Sequence, residues 1–123
     1  MTTKEVADRL VSLCREGKYE EAYNELYAEN CISQEMPGMP NALAEGKEQI
    51  IKDFHQWQNN IQEMHGGEVG DPMVAGNHFA IPMSYDITFK EGGRQAMEEI
   101  CMYQVQNGQI TKASYHYEVP EMG

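Results

Sequence analysis

The apolar residues of this 123-residue chain change their period part-way along it, and that change constrains the fold more than any single motif. Up to about residue 61 they recur at helical spacing, and from residue 78 they alternate. Val6, Leu10, Leu13 and Cys14 mark a first helix, capped by Thr2 or Thr3, with Glu5 in its first turn and Gly17 at its end. Tyr19, Ala22, Tyr23 and Leu26 mark a second, with Glu20, Glu21 and Glu25 on its remaining surface. A third, over residues 47–60, turns Ile50, Ile51, Phe54, Trp57 and Ile61 toward the core. Between the second and third, residues 31–35 read as a short strand. Residues 36–46, MPGMPNALAEG, with two prolines and two glycines, read as a loop without regular structure that can cover a site.

In the second half Phe79, Ile81, Met83, Tyr85, Ile87 and Phe89 alternate with polar or small residues, the pattern of a long strand with one apolar face. Glu91, Gly92 and Gly93 make a turn, residues 94–106 a second strand, Asn107-Gly108 a tight hairpin turn, and residues 109–119 a last strand. Segments 63–69 and 73–75 add further pairing. Helices first and antiparallel strands after predict an α+β fold with the helices on one face of the sheet. The length predicts one domain over residues 1–123, large enough to bury an ordinary core without disulfides or metal.

Nine Lys and Arg against twenty Asp and Glu leave a net charge of −11, and the basic residues are scattered singly. Such a surface repels phosphate backbones and anionic lipid, so neither nucleic acid nor a membrane is an expected partner. Cys14, Cys31 and Cys101 are odd in number and far apart, which predicts free thiols in a reducing compartment. The polar N-terminus and the lack of an apolar run of about 20 residues predict a soluble, cytoplasmic protein. His65, His78 and His116 fit no metal-ligand spacing, and no nucleotide or serine-hydrolase fingerprint occurs, so neither metal nor cofactor is expected.

The segments YAENCISQEMPG, EGKEQIIKDF and YQVQNGQITKASYHYE stand in an order that resembles the NTF2-like superfamily, and within it the SnoaL-like polyketide cyclases and ketosteroid isomerases. The resemblance implies a cone: three N-terminal helices packed on a strongly curved antiparallel sheet, with a pocket between the third helix and the concave face. It also implies a small apolar organic ligand and a cofactor-independent isomerase or cyclase acting on a carbonyl or ring compound. The family's general base, at the end of the first strand, falls on Glu35. Its oxyanion-hole tyrosine falls on Leu10 and its protonated Asp on Cys101, two departures that disfavour a steroid isomerase of the usual kind. A third-helix position that often carries a pocket aromatic falls on His55.

A carboxylate in an apolar pocket has its pKa raised and can exchange a proton with a carbon acid, the role expected of Glu35 unless it points to solvent. His55, beside the stripe of Ile51, Phe54 and Trp57, is the expected acid or orienter, unless it sits on the solvent flank of its helix. Alternation on the last strands sends Tyr115 and Tyr117, with Met97, Glu99, Cys101, Tyr103 and Tyr85, toward the concavity. A register shifted by one would expose Glu99 and bury Ile100 and Met102 instead. Trp57, Tyr85, Glu99, Tyr103 and Tyr115 form the expected ligand-binding set. Loss of both oxyanion-hole positions favours a competing reading, a non-catalytic ligand carrier or dimerising domain. Outward Ile100, Met102 and Val119 predict a homodimer through the sheet.

Overall fold

The computed structural model describes residues 1–39 and 42–119; residues 40–41 of the expected loop and 120–123 of the expected domain lie outside the described residues. The chain runs α1 (Thr3–Arg15), α2 (Tyr19–Leu26), β1 (Tyr27–Gln34), β2 (Leu43–Glu45) and α3 (Lys47–Asn59). It continues through β3 (Ile61–Val69), β4 (Met73–Ala75), β5 (His78–Phe89), β6 (Gly93–Gln106) and β7 (Gln109–His116). The seven strands form one sheet in the order β2-β1-β7-β6-β5-β3, with β4 also on β5. Three helices on this curved, unclosed sheet give the α+β, NTF2-like architecture.

Local chemistry explains the boundaries. Thr2 caps α1 with its side chain on the Glu5 amide while Glu5 reaches back to the Thr2 amide, a reciprocal pair that satisfies two free helix-end donors. Gly17, at φ +74°, lets the chain turn back so that the Lys18 amide reaches the Leu13 carbonyl. Asn107 and Gly108, both at positive φ, make the β6–β7 turn.

Three features depart from the alternation-based expectation. β1 begins at Tyr27 rather than at residue 31, because Tyr27 passes directly from the end of α2 into extended backbone. Leu43–Glu45, the stretch of the Pro/Gly loop free of both residues, pairs with β1 as strand β2. The sheet is mixed: β1 lies parallel to β7, so Ser33 stands opposite Ala113 and Gln34 opposite Ser114. A parallel pair needs a long crossover, and everything between β1 and β7 supplies it.

The core sits where α1 covers the sheet. Val6, Leu10 and Leu13 pack with Phe79, Ile81, Tyr103, Val105 and Ile110, all buried. Toward α2 and α3 the packing opens. Ile50 is the only fully buried residue of α3, while Ile51, Phe54 and Trp57 stay half-buried although they face the sheet.

Candidate functional site

Register decides what points into the concave face. Phe79 stands opposite Tyr103, Ile81 opposite Cys101, Met83 opposite Glu99 and Tyr85 opposite Met97. Cys101 is 0% exposed and Tyr103 3%, whereas Ile100 is 51% exposed and Met102 38%. The register is therefore the one that turns Glu99 inward. The more apolar pair lies on the convex side, against the simplest reading of hydrophobicity.

The inward residues near the open end, Tyr19, Tyr23, Phe54, Trp57, Tyr85, Glu99 and Tyr115, are only partly buried. These partly exposed side chains border the concave region between α2, α3 and the ends of β5, β6 and β7, called the hollow below. Its wall is a run of aromatic contacts: Tyr23 on Phe54 at 5.4 Å, Phe54 on Trp57 at 6.3 Å, and Trp57 edge-on to Tyr85 at 6.0 Å.

Two carboxyl groups enter this hollow. Burial pushes Glu99 up to about 7, opposed by hydrogen bonds from the Cys101 thiol and the Tyr85 hydroxyl and reinforced by the charge of Glu35. The Cys101 Sγ donates to Glu99 Oε1 at 3.5 Å. Glu35 follows β1 and is also raised by burial, with the Tyr117 hydroxyl, which donates to its Oε2 at 2.8 Å, working the other way. Tyr117 feels both carboxylates, which help hold its own pKa above the ordinary value. Glu35, Tyr117 and Glu99 thus form one electrostatic unit beside the aromatic wall.

The expected site residues divide. Glu35, Glu99, Trp57, Tyr85 and Tyr115 border the hollow. His55 does not. It lies exposed on the solvent side of α3 with its Nε2 2.9 Å from Glu20 Oε1 on α2, because the stripe it adjoins turns Phe54 and Trp57, not residue 55, toward the sheet. Tyr103 is closed into the core, its ring stacked on Phe79 at 4.8 Å. Leu10, 2% exposed, and Cys101 are sealed as well, so neither oxyanion-hole position offers a strong donor to the hollow. Tyr117 and the α2 tyrosines were not among the expected binding residues. Tyr117 continues the alternation of Tyr115 by one step, and Tyr19 and Tyr23 share a face of α2 at a four-residue spacing, so both signals were available.

Two shallow depressions open at the surface. One, of about 430 Å³, is lined by Glu99 and Met83 together with outward residues such as Pro82, Ser84, Glu98, Ile100 and His116; the other, of about 450 Å³, lies between α1 and Asp71. Among the described residues no group of three or more His, Cys, Asp or Glu is placed to hold a metal, and no helix is long and apolar enough to cross a membrane.

The sequence profile of the SnoaL-like domain matches residues 1–117. This chain belongs to the SnoaL-like family. A provisionally designated SnoaL-like polyketide cyclase from Mesorhizobium loti is 36% identical, with 95% of this SnoaL-like chain and 100% of that one covered at a TM-score of 0.91. At the level of fold, it is similar to a ketosteroid isomerase-like protein from Catenulispora acidiphila in complex with trimethylamine, 16% identical, 94% and 86% covered, TM-score 0.73. It is also similar to TerC co-crystallised with polyporic acid, 11% identical, 94% and 91% covered, TM-score 0.75. No sequence of curated function matches this SnoaL-like chain.

Proposed function

We propose that this SnoaL-like protein binds a small, mostly apolar carbonyl or ring compound in the aromatic hollow and shuttles a proton on it, as an isomerase or cyclase does. The observation that carries the reading is the pair of inward carboxyls beside the aromatic wall, Glu35 accepting from the Tyr117 hydroxyl and Glu99 from the Cys101 thiol. Burial raises the proton affinity of both, and the charge of Glu35 helps keep the proton on Glu99, whose pKa of about 7 leaves it partly protonated at neutral pH. Ionised Glu35 removes a proton from the carbon beside the substrate carbonyl. The proton on Glu99 hydrogen-bonds the carbonyl oxygen as it gains negative charge, and Glu35 returns its proton at a second carbon. Side chains alone carry these transfers. His55, on the outer side of α3, has no part in them.

A second reading, a carrier without chemistry, draws on the sealing of Leu10 and Cys101, which withholds two of the donors the resemblance implies. The fold-level neighbours crystallised with trimethylamine and polyporic acid support a small-molecule role in either case. Incubating the protein with cyclohex-3-enone in D₂O separates the two. Deuterium uptake or double-bond migration that is lost in E35Q supports catalysis, whereas ketone-induced shifts of the Trp57 indole signal without exchange mark a carrier.

Exposed Ile100 and Met102 on the convex face, with Val119 beyond β7, support a homodimer through the sheet. Sedimentation that stays monomeric up to high concentration would remove that part of the proposal. The three buried, unpaired cysteines favour a cytoplasmic setting, and the net charge of −11 disfavours nucleic acid and anionic membranes as partners.

A further inference from the structure

The hollow has a charge character that the proton-transfer reading leaves unused. Eight of the nine Lys and Arg side chains are exposed or half-exposed, and that of Lys47, 12% exposed, is tied to the Asn24 carbonyl and Glu29. Lys4, Arg9, Arg15, Lys18, Lys47 and Arg94 are taken up in ion pairs with Asp8, Glu25, Asp71, Glu16, Glu29 and Asp86, and Lys52, Lys90 and Lys112 are exposed. Histidines add nothing inside: His55 pairs with Glu20, His65 lies against Thr88 and Glu63, His116 against Ser114, and His78 is exposed. Glu35 and Glu99 therefore meet only uncharged donors, Tyr117 and Cys101 with Tyr85.

The rest of the lining suits a positive group as well. Phe54, Trp57, Tyr85, Tyr19 and Tyr23 are half-buried around the hollow, and aromatic faces attract organic cations through the ring quadrupole. A carboxylate- or phosphate-bearing compound would instead meet Glu35 and Glu99 with no cation to offset the repulsion.

We propose that the hollow selects substrates bearing a small organic ammonium group, seated against the Phe54–Trp57–Tyr85 wall with ionised Glu35 as its main countercharge, and rejects organic anions. This rests on the reading of the hollow as the ligand site. It narrows the substrate class to amine-bearing ring or carbonyl compounds. An ammonium near the reacting carbonyl also favours loss of the adjacent proton, since the developing negative charge lies beside a positive one.

Three probes of one shape and different charge test it: choline, 3,3-dimethylbutan-1-ol and 3,3-dimethylbutanoate. Trp57 is the sole tryptophan of the chain, so its indole proton reports on the hollow without ambiguity. At fixed ionic strength choline should shift this signal with an affinity roughly tenfold above that of the alcohol, the size of a partly desolvated cation–π and ion-pair contact, and the carboxylate should bind weakest. E35Q, which keeps the shape of the side chain, should reduce the preference for choline, and E99Q should reduce it less. Circular dichroism spectra matching the unaltered protein establish that the variants are folded, and the two single variants serve as independent tests. Alcohol binding within about threefold of choline, tighter binding of the carboxylate, or a preference untouched in both variants would overturn the charge selection while leaving the hollow as a ligand site. If none of the three moves the indole signal, both this proposal and the placement of the ligand site fall.

Discussion

Replacing Glu99 by glutamine tests its burial through the pH dependence of stability. In the folded chain the carboxyl titrates near 7, against an ordinary value of 4.5 that the unfolded chain restores. Between those two pH values the native state holds a proton that the unfolded state has released, so raising the pH through this window lowers stability. Below the window both states are protonated and Glu99 contributes nothing to the dependence; above it both are ionised and the full penalty stands. At about 1.36 kcal/mol per unit the gap corresponds to roughly 3 kcal/mol, and the remaining solvent access of Glu99 reduces that to ~2 kcal/mol. Glutamine can still accept the Cys101 hydrogen bond but never ionises. E99Q should therefore match the unaltered protein near pH 4.5 and exceed its stability by ~2 kcal/mol near pH 8.5. Urea unfolding followed by far-UV circular dichroism at both pH values measures this, and differencing the two proteins cancels the carboxyls other than Glu35, whose charge is coupled to Glu99. Equal stability of the two proteins near pH 8.5, or a larger advantage of E99Q near pH 4.5, would refute the inward, partly desolvated placement.

Y117F removes the hydroxyl that donates to Glu35 and holds its pKa down, so Glu35 should titrate at higher pH than in the unaltered protein; carbon NMR of the carboxyl reads this, and an unmoved titration would contradict the contact. Y103A deletes a ring that is 3% exposed and stacked on Phe79, with an expected loss of about 3 kcal/mol seen as a lower urea midpoint. H55A should leave the thermal midpoint and choline binding unchanged, since the imidazole touches Glu20 outside the hollow; lost binding would return His55 to the site.

Most of the fold was legible because period and punctuation agreed. The helical stripes of α1 and α2, the glycine stop at Gly17 and the Asn107-Gly108 turn each follow from local chemistry, and all are found where expected. The parallel pairing of β1 with β7 was not legible, because nothing within Tyr27–Gln34 specifies which distant strand it will join. β2 was hidden for a related reason: three residues beside two prolines carry no period, and only the neighbouring β1 makes them a strand. Alternation turned Glu99, Tyr85 and Tyr115 toward the concave face, the side on which the register has them, but could not grade depth. Tyr103 and Tyr115 share an inward face, yet one is sealed under α1 and the other reaches the hollow. Depth depends on which helix lies above each rung, a tertiary fact.

That grading by depth also bears on how this chain departs from the proteins it resembles. The resemblance puts the oxyanion-hole acid at the position of Cys101, and this chain's own inward acid stands two residues earlier on the same face. On a β-strand that step is roughly 7 Å, and it carries the carboxyl from the closed end of the concavity toward the open one. The two positions differ in what they allow. Cys101 is 0% exposed, opposite Ile81 and Tyr115, where a small group that stays neutral is tolerated and an ionising one would be costly. Glu99 retains contact with solvent, so burial raises its pKa only to the neutral range and both protonation states are accessible. Met83 stands opposite it, Tyr85 lies one inward step further along β5, and Tyr117 feels its charge, while Leu10 stays in the core. A ligand that meets both Glu35 and Glu99 must then sit against Phe54 and Trp57, nearer the mouth than one held at the level of Cys101. Under the proposed ligand-binding reading, that position favours a ligand whose far end remains in water.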